Sequence, residues 1–211
     1  LGLAQHYMSK GQQEQALAQM RMAFTETPTD WTVTQNYIGL LFQADKESEA
    51  DEVAESLLNG FSDSPRAVTL AALNKHRLGE TAAARSRLEQ QLEENPEDLP
   101  SLTAMASIHH SEREFDESAD TLLKAAALQP DNFSILRAAG RAYARNHRPD
   151  EIVEWLTGVA TEHDKLATPA KILAANVRIQ QGKLADARKL LDALPGQSHP
   201  EQLEAVRTSL L

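Results

Sequence analysis

Ala16, Ala50 and Ala84 stand 34 residues apart, and Ser118 and Ile152 continue the same step. Met20, Ala54, Leu88, Leu122 and Leu156 form a second ladder, and Ala4, Ile38, Ala72, Ala106 and Gly140 a third. Each ladder takes a step of 35 to its last rung, at Ala187, Leu191 and Ala175 respectively. Three ladders in one register, broken by one shared insertion, describe a tandem array. A fixed period of a few tens of residues means one supersecondary unit repeated, each unit burying its apolar face against the next.

Within a unit the pattern is helical. In the first, Leu3, Ala4 and Tyr7 fall on one helix face and Ala16, Met20 and Ala23 on another, with Gly11 between them. Those spacings are those of two short amphipathic helices, and glycine suits the point where the chain leaves one and enters the other. Pro28, Pro96 and Pro130 recur where a second helix should stop, because proline cannot continue one. The spacing predicts a single array of helical hairpins over units 1–30, 31–64, 65–98, 99–132, 133–167 and 168–201. A terminal helix is expected over about 200–211, with Leu203, Val206 and Leu210 on one face; it reads either as a cap or as part of a further repeat.

Composition agrees with an all-α fold. Hydrophobic residues make up 41% of the 211, but aromatics only 5%, so alanine and leucine supply most of the apolar surface, and both favour helix. The net charge of −10 argues against a nucleic-acid partner, which needs a large basic footprint. With no cysteine, disulfides and thiolate metal sites are excluded, while an oxidising compartment stays compatible. No apolar run reaches the length of a membrane span. The opening LGLAQHY without an initiator methionine reads as part of a longer chain, in which a targeting or lipid-anchoring segment could stand outside these residues.

These hairpins resemble the tetratricopeptide-repeat (TPR) family, whose pattern is matched in the first unit by Ala4, Tyr7, Gly11, Ala16, Met20, Ala23 and Pro28, and in the fifth by Leu136, Gly140 and Tyr143. Lys75, His109 and Arg178 stand where the family usually has tyrosine. The resemblance covers nearly the whole chain and implies an α-solenoid, a right-handed superhelix of about six hairpins with first helices lining a concave groove. It also implies an interaction scaffold that holds a peptide or a partner protein in that groove.

Arg137, Arg141 and Arg145 stand four apart in the first helix of the fifth unit, drifting about 40° per step on helical geometry. Leu136, Ala139, Gly140 and Tyr143 are expected to pack, which leaves the arginines on a different side, one that the resemblance turns to the groove. They either solvate a face or give a local positive field for an acidic segment. Equivalent groove positions are Gln35, Asn36 and Phe42 in the second unit, Thr69, Leu73, His76 and Arg77 in the third, Ser107 and His110 in the fourth, and Asn176 and Gln180 in the sixth. Some relatives clamp a peptide's terminal carboxylate with Asn and Lys/Arg from consecutive repeats; Asn36 fits one such position, but Gln5 and Leu70 do not fit the others.

No catalytic signature or cofactor motif of the HExxH, P-loop, GxGxxG or GxSxG kind occurs. The segment SIHHSEREFDESAD gathers His109, His110, Glu112, Asp116 and Asp120, yet adjacent histidines on a helix diverge by about 100° and converge poorly on one metal. Trp31 and Trp155 read as packing residues or binding anchors. The expectation is a non-enzymatic scaffold without a metal. Its alternatives are the accessory repeat region of a larger enzyme, such as a glycosyltransferase, and a peptide-sensing regulator. Alanine-rich repeats with PDN and PED connectors also resemble the TPR lipoproteins of PEP-CTERM and exopolysaccharide-export systems, which implies a periplasmic, envelope-associated array.

Overall fold

Helices begin at Trp31, Pro65, Leu99 and Phe133, and each is followed after a short connection by a second. The computed structural model describes residues 2–62 and 64–194; the terminal helix expected over about 200–211 lies outside them. Among the described residues there are twelve α-helices and no strand. In chain order these are α1 (Gly2–Ser9), α2 (Gln13–Glu26), α3 (Trp31–Gln43), α4 (Glu47–Gly60), α5 (Pro65–Arg77), α6 (Thr81–Glu94), α7 (Leu99–Ser111), α8 (Phe115–Leu128), α9 (Phe133–Tyr143), α10 (Pro149–Glu162), α11 (Ala167–Gln180) and α12 (Leu184–Asp192). The chain divides after Ala104, within α7, into two compact units, Leu1–Ala104 and Met105–Leu211.

Local chemistry sets the boundaries. Asp30 caps α3, its carboxylate accepting from the amides of Thr32 (2.8 Å) and Val33 (3.1 Å), which satisfies two of the amides a helix start leaves unpaired. Asp98 does the same for α7 through Ser101 N (2.9 Å). Pro65 and Pro149 occupy first-turn positions, where their missing N–H costs nothing. The α1–α2, α5–α6 and α11–α12 turns place Gly11, Gly79 and Gly182 at φ of 70°, 82° and 73°. Asp45 and Arg113 take the same left-handed conformation at 54° and 67°, in register with Gly11 and Gly79.

The α9–α10 connection differs. Pro149 disfavours helical geometry at the residue before it, and Arg148 is extended (φ −75°, ψ 157°). A longer link over residues 144–148 replaces the tight turn, and α9 stops at Tyr143. Arg145 therefore lies beyond the helix, not in a row of three on it. The inserted residue falls between Ile152 and Ala175. There a 3-10 turn, Asp164–Leu166, precedes α11, which has 14 residues where α3, α5 and α7 have 13.

The ladders form the core. In the first unit Ala16, Ala50, Ala84 and Leu88 are fully buried, with α3 set between α2 and α4 and α5 between α4 and α6. In the second, Leu156, Ala175, Ala187 and Leu191 are buried, and α10 and α12 pack on α11. Small residues on these rungs let helix backbones approach closely.

Candidate functional site

Polar contacts between successive hairpins recur in both units. In the first, three carboxylates of α4 reach side chains of the neighbouring helices. Glu49 accepts from the Tyr37 hydroxyl (2.7 Å) and pairs with Arg21, whose Nε also donates to the Tyr37 oxygen (3.0 Å). Asp51 accepts from Asn74 Nδ2 (2.9 Å) and Lys75 Nζ (2.7 Å), and Glu55 from Arg87 Nη1 (2.8 Å). The Tyr37 hydrogen bond, then Arg21, holds Glu49 below the ordinary carboxylate range. The bond to Asp51 raises Lys75, and burial raises Tyr37.

In the second unit the acceptors are Asp116 and Asp150, 34 residues apart and each near the start of a second helix. Asp116 faces His147 Nε2 (3.0 Å) and Asn146 Nδ2 (3.3 Å). Asp150 accepts from Lys183 Nζ (2.9 Å) and Gln181 Nε2 (3.2 Å) and pairs with Arg178. Bonds from Lys183 and then Arg178 hold the Asp150 carboxyl far below its usual range. The three residues that replace tyrosine in the repeat pattern thus each meet a carboxylate: Lys75 that of Asp51, Arg178 that of Asp150, and His109 Nδ1 that of Glu114 at 2.6 Å.

Clefts open between successive first helices. One of about 290 Å³ lies between α1 and α3, lined in part by Gln5, Met8, Gln35 and Asn36. A polar one of about 370 Å³ spans α3, α5 and the start of α7, lined in part by Gln35, Arg66, Thr69, Leu73 and Thr103. The third, of about 460 Å³, lies among α9, α10 and α11. Ile152 and Leu156 of α10 and Leu173 and Val177 of α11 give it an apolar floor. Arg137 and Arg141 line it from α9, Asn176 and Gln180 from α11.

Of the residues singled out in the sequence, Arg137, Arg141 and Asn176 meet in this third cleft. Arg137 and Arg141 are exposed and hold no ion pair among the described residues. Arg145 leaves the row: its guanidinium lies 5.8 Å from the Phe115 ring centroid. Gln35 and Asn36 line the first cleft, and Leu73 the second. Phe42 is not an open anchor, because Arg77 stacks on its ring at 3.7 Å. His76 Nδ1 bonds Thr81 Oγ1 (3.0 Å). His110 turns its ring edge to Phe115 (5.2 Å) while His109 turns to Glu114, so the paired histidines diverge. Among the described residues no group of three or more histidine, aspartate or glutamate side chains is placed to hold a metal ion, and no helix is long and apolar enough to cross a membrane.

One feature of the third cleft departs from the sequence reading, and one beside it gives the expected packing its partners. Gly140, expected to pack, faces open space: a Cβ built there meets nothing within 4 Å. Trp155 stacks on Tyr143 (4.8 Å), which stacks in turn on His147 (3.9 Å), a column that braces α10 against the end of α9.

No family model matches the chain, and no curated protein matches it in sequence. Among solved structures, yeast Tom70 matches over 92% of this chain and 42% of its own, with a TM-score of 0.60 and 16% identity. MamA matches over 78% of this chain and 96% of its own (TM-score 0.49, 16% identity), and a thermophilic TPR protein of Thermus thermophilus over 84% and 98% (TM-score 0.47, 16% identity). Identities this low speak to fold alone, and the Tom70 likeness carries that weight together with the 34-residue helical hairpins. The chain has the all-α fold of tetratricopeptide-repeat proteins.

Proposed function

We propose that the protein is a non-enzymatic interaction scaffold, a single array of six hairpins, and that the α9–α11 cleft holds an acidic segment of a partner protein. One observation carries this reading: two arginines without a partner among the described residues border an apolar opening, in a chain of net charge −10. Arg21, Lys75, Arg87 and Arg178 are each taken up by a carboxylate of a neighbouring hairpin. Arg137 and Arg141 are not, so their charge is available to a ligand. An apolar floor supplies the affinity that exposed charge alone does not, since surface ion pairs contribute only about 0–1 kcal/mol. Gln35, Asn36 and Leu73 are further candidate contacts, in the two clefts of the first unit. An envelope export setting rests on the alanine-rich texture and connectors of the sequence.

The test is affinity capture from the source cell with the intact protein beside the Arg137→Glu/Arg141→Glu variant. The reading expects a partner recovered by the wild type and lost by the variant, with helical circular dichroism unchanged. Equal recovery by both would assign the arginines to solvation of a helix face.

A further inference from the structure

The two rims of the α9–α11 cleft share one spacing. Arg137 and Arg141 are four residues apart on α9, and Asn176 and Gln180 four apart on α11. Each pair is therefore separated by about 6 Å along its helix. Alternate residues of an extended peptide are separated by about 6.6 Å, and their side chains point to the same side. Neither amide makes a side-chain hydrogen bond among the described residues, and each carries a donor and an acceptor. In an extended strand the N–H and C=O of one residue lie on the same edge, and that edge recurs two residues on.

Resting on the acidic-segment reading above, we propose that the occupant binds as a short extended strand of the pattern acidic–apolar–acidic, in register with the two rows. The strand lies along the cleft with one backbone edge on Asn176 and Gln180. The middle side chain points down onto Leu173 and Val177, which are half-buried and so still offer apolar surface. The two acidic side chains point the other way, to the rim, where Arg137 and Arg141 meet them one each. A helical occupant could match the rows, about 6 Å apart along the helix, with acidic residues four apart, but its backbone groups are bonded within the helix and would leave Asn176 and Gln180 without backbone partners. Gly140 stands between the two arginines, and its missing side chain leaves room for the backbone to pass.

The probe is a fluorescein-labelled Ser-Asp-Leu-Asp-Ser peptide, compared by fluorescence polarisation at low salt with its isomer Ser-Leu-Asp-Asp-Ser, using the whole chain. Both carry the same charge and composition. The proposal expects the first to bind about tenfold tighter, with that preference lost in Arg141→Glu and in Asn176→Ala. Gly140→Trp fills the cleft from a position with no packing neighbour and should abolish binding with helical content kept. Equal affinity for the two isomers, lost in Arg141→Glu, overturns the register but leaves the acidic-segment reading standing. Absence of binding by either peptide, while partner capture still depends on Arg141, overturns the short strand. Absence of both overturns this proposal and the reading beneath it.

Discussion

The α2–α6 region and the α9–α11 region use the same residue types for different ends. In the first, Arg21, Lys75 and Arg87 each meet one carboxylate of α4, Glu49, Asp51 and Glu55 respectively, so positive charge fastens one hairpin to the next. In the second, Asp150 gathers Arg178 and Lys183 at the end of α11, while Arg137 and Arg141 on α9 face a cleft that no carboxylate lines among the described residues. A cation answered by the neighbouring hairpin specifies packing; one left beside apolar surface is free to specify a ligand. The difference lies in what stands opposite, not in the arginine.

The largest expected effect tests the packing that both regions share. Ala84 and Ala139 are each fully buried, so Ala84→Leu and Ala139→Leu should each lose about 1–3 kcal/mol by overpacking, read by urea unfolding. A loss in only one would show that the two regions are not built alike. Next, Tyr37→Phe removes the hydroxyl that links Arg21 to Glu49 and should cost about 0.5–1.5 kcal/mol. Lys75→Ala should cost about 1 kcal/mol, because Asp51 keeps the hydrogen bond from Asn74 when the Lys75 pair is broken. Arg141→Ala should leave thermal stability unchanged; a loss as large as that of Lys75→Ala would mean Arg141 has a structural partner and would dissolve the contrast.

The contrast also has a pH dependence. Glu49, Asp150 and Glu151 titrate below their ordinary values in the folded chain. Their contribution is complete above the unfolded carboxylate pKa of about 4 and disappears as the pH falls through the lowered folded values. Lys75 and Tyr37 are raised; their contribution is present below about pH 10 and lost as the pH rises through the raised values. Thermal stability should be flat between these limits. Asp150→Asn should approach wild-type stability only at strongly acid pH, and a constant difference at all pH would break the assignment.

Much of the fold was legible because a repeat writes each packing position several times. Apart from Leu122 and Gly140, the rungs of the ladders through Ala16, Met20 and Ala4 are buried in the structure, and the prolines fall two residues beyond the ends of α2, α6 and α8. Register also placed Arg137, Arg141 and Asn176 on facing helices. What failed depended on contacts between hairpins or on a local break of the repeat. Arg145 left the row because Pro149 lengthens the preceding link and α9 ends early. Phe42 is covered by an arginine from the next hairpin, and no spacing within its own unit reports that. Gly140 fits the family position for a packed small residue, yet the space beside it is set by the residues of α10 and α11. Asp45 and Arg113 take the glycine turn without being glycine, so only the 34-residue step from Gly11 and Gly79 could have flagged them.

The central claim is that an unpaired arginine bordering the cleft serves a ligand and a paired one does not. The direct measurement is the affinity of the captured partner at low salt for Arg141→Gln beside Arg21→Gln, two variants with the same change of charge. The account predicts a loss of about tenfold or more for Arg141→Gln and wild-type affinity for Arg21→Gln. Equal losses would reduce the effect to net charge, and unchanged binding by Arg141→Gln would contradict the account.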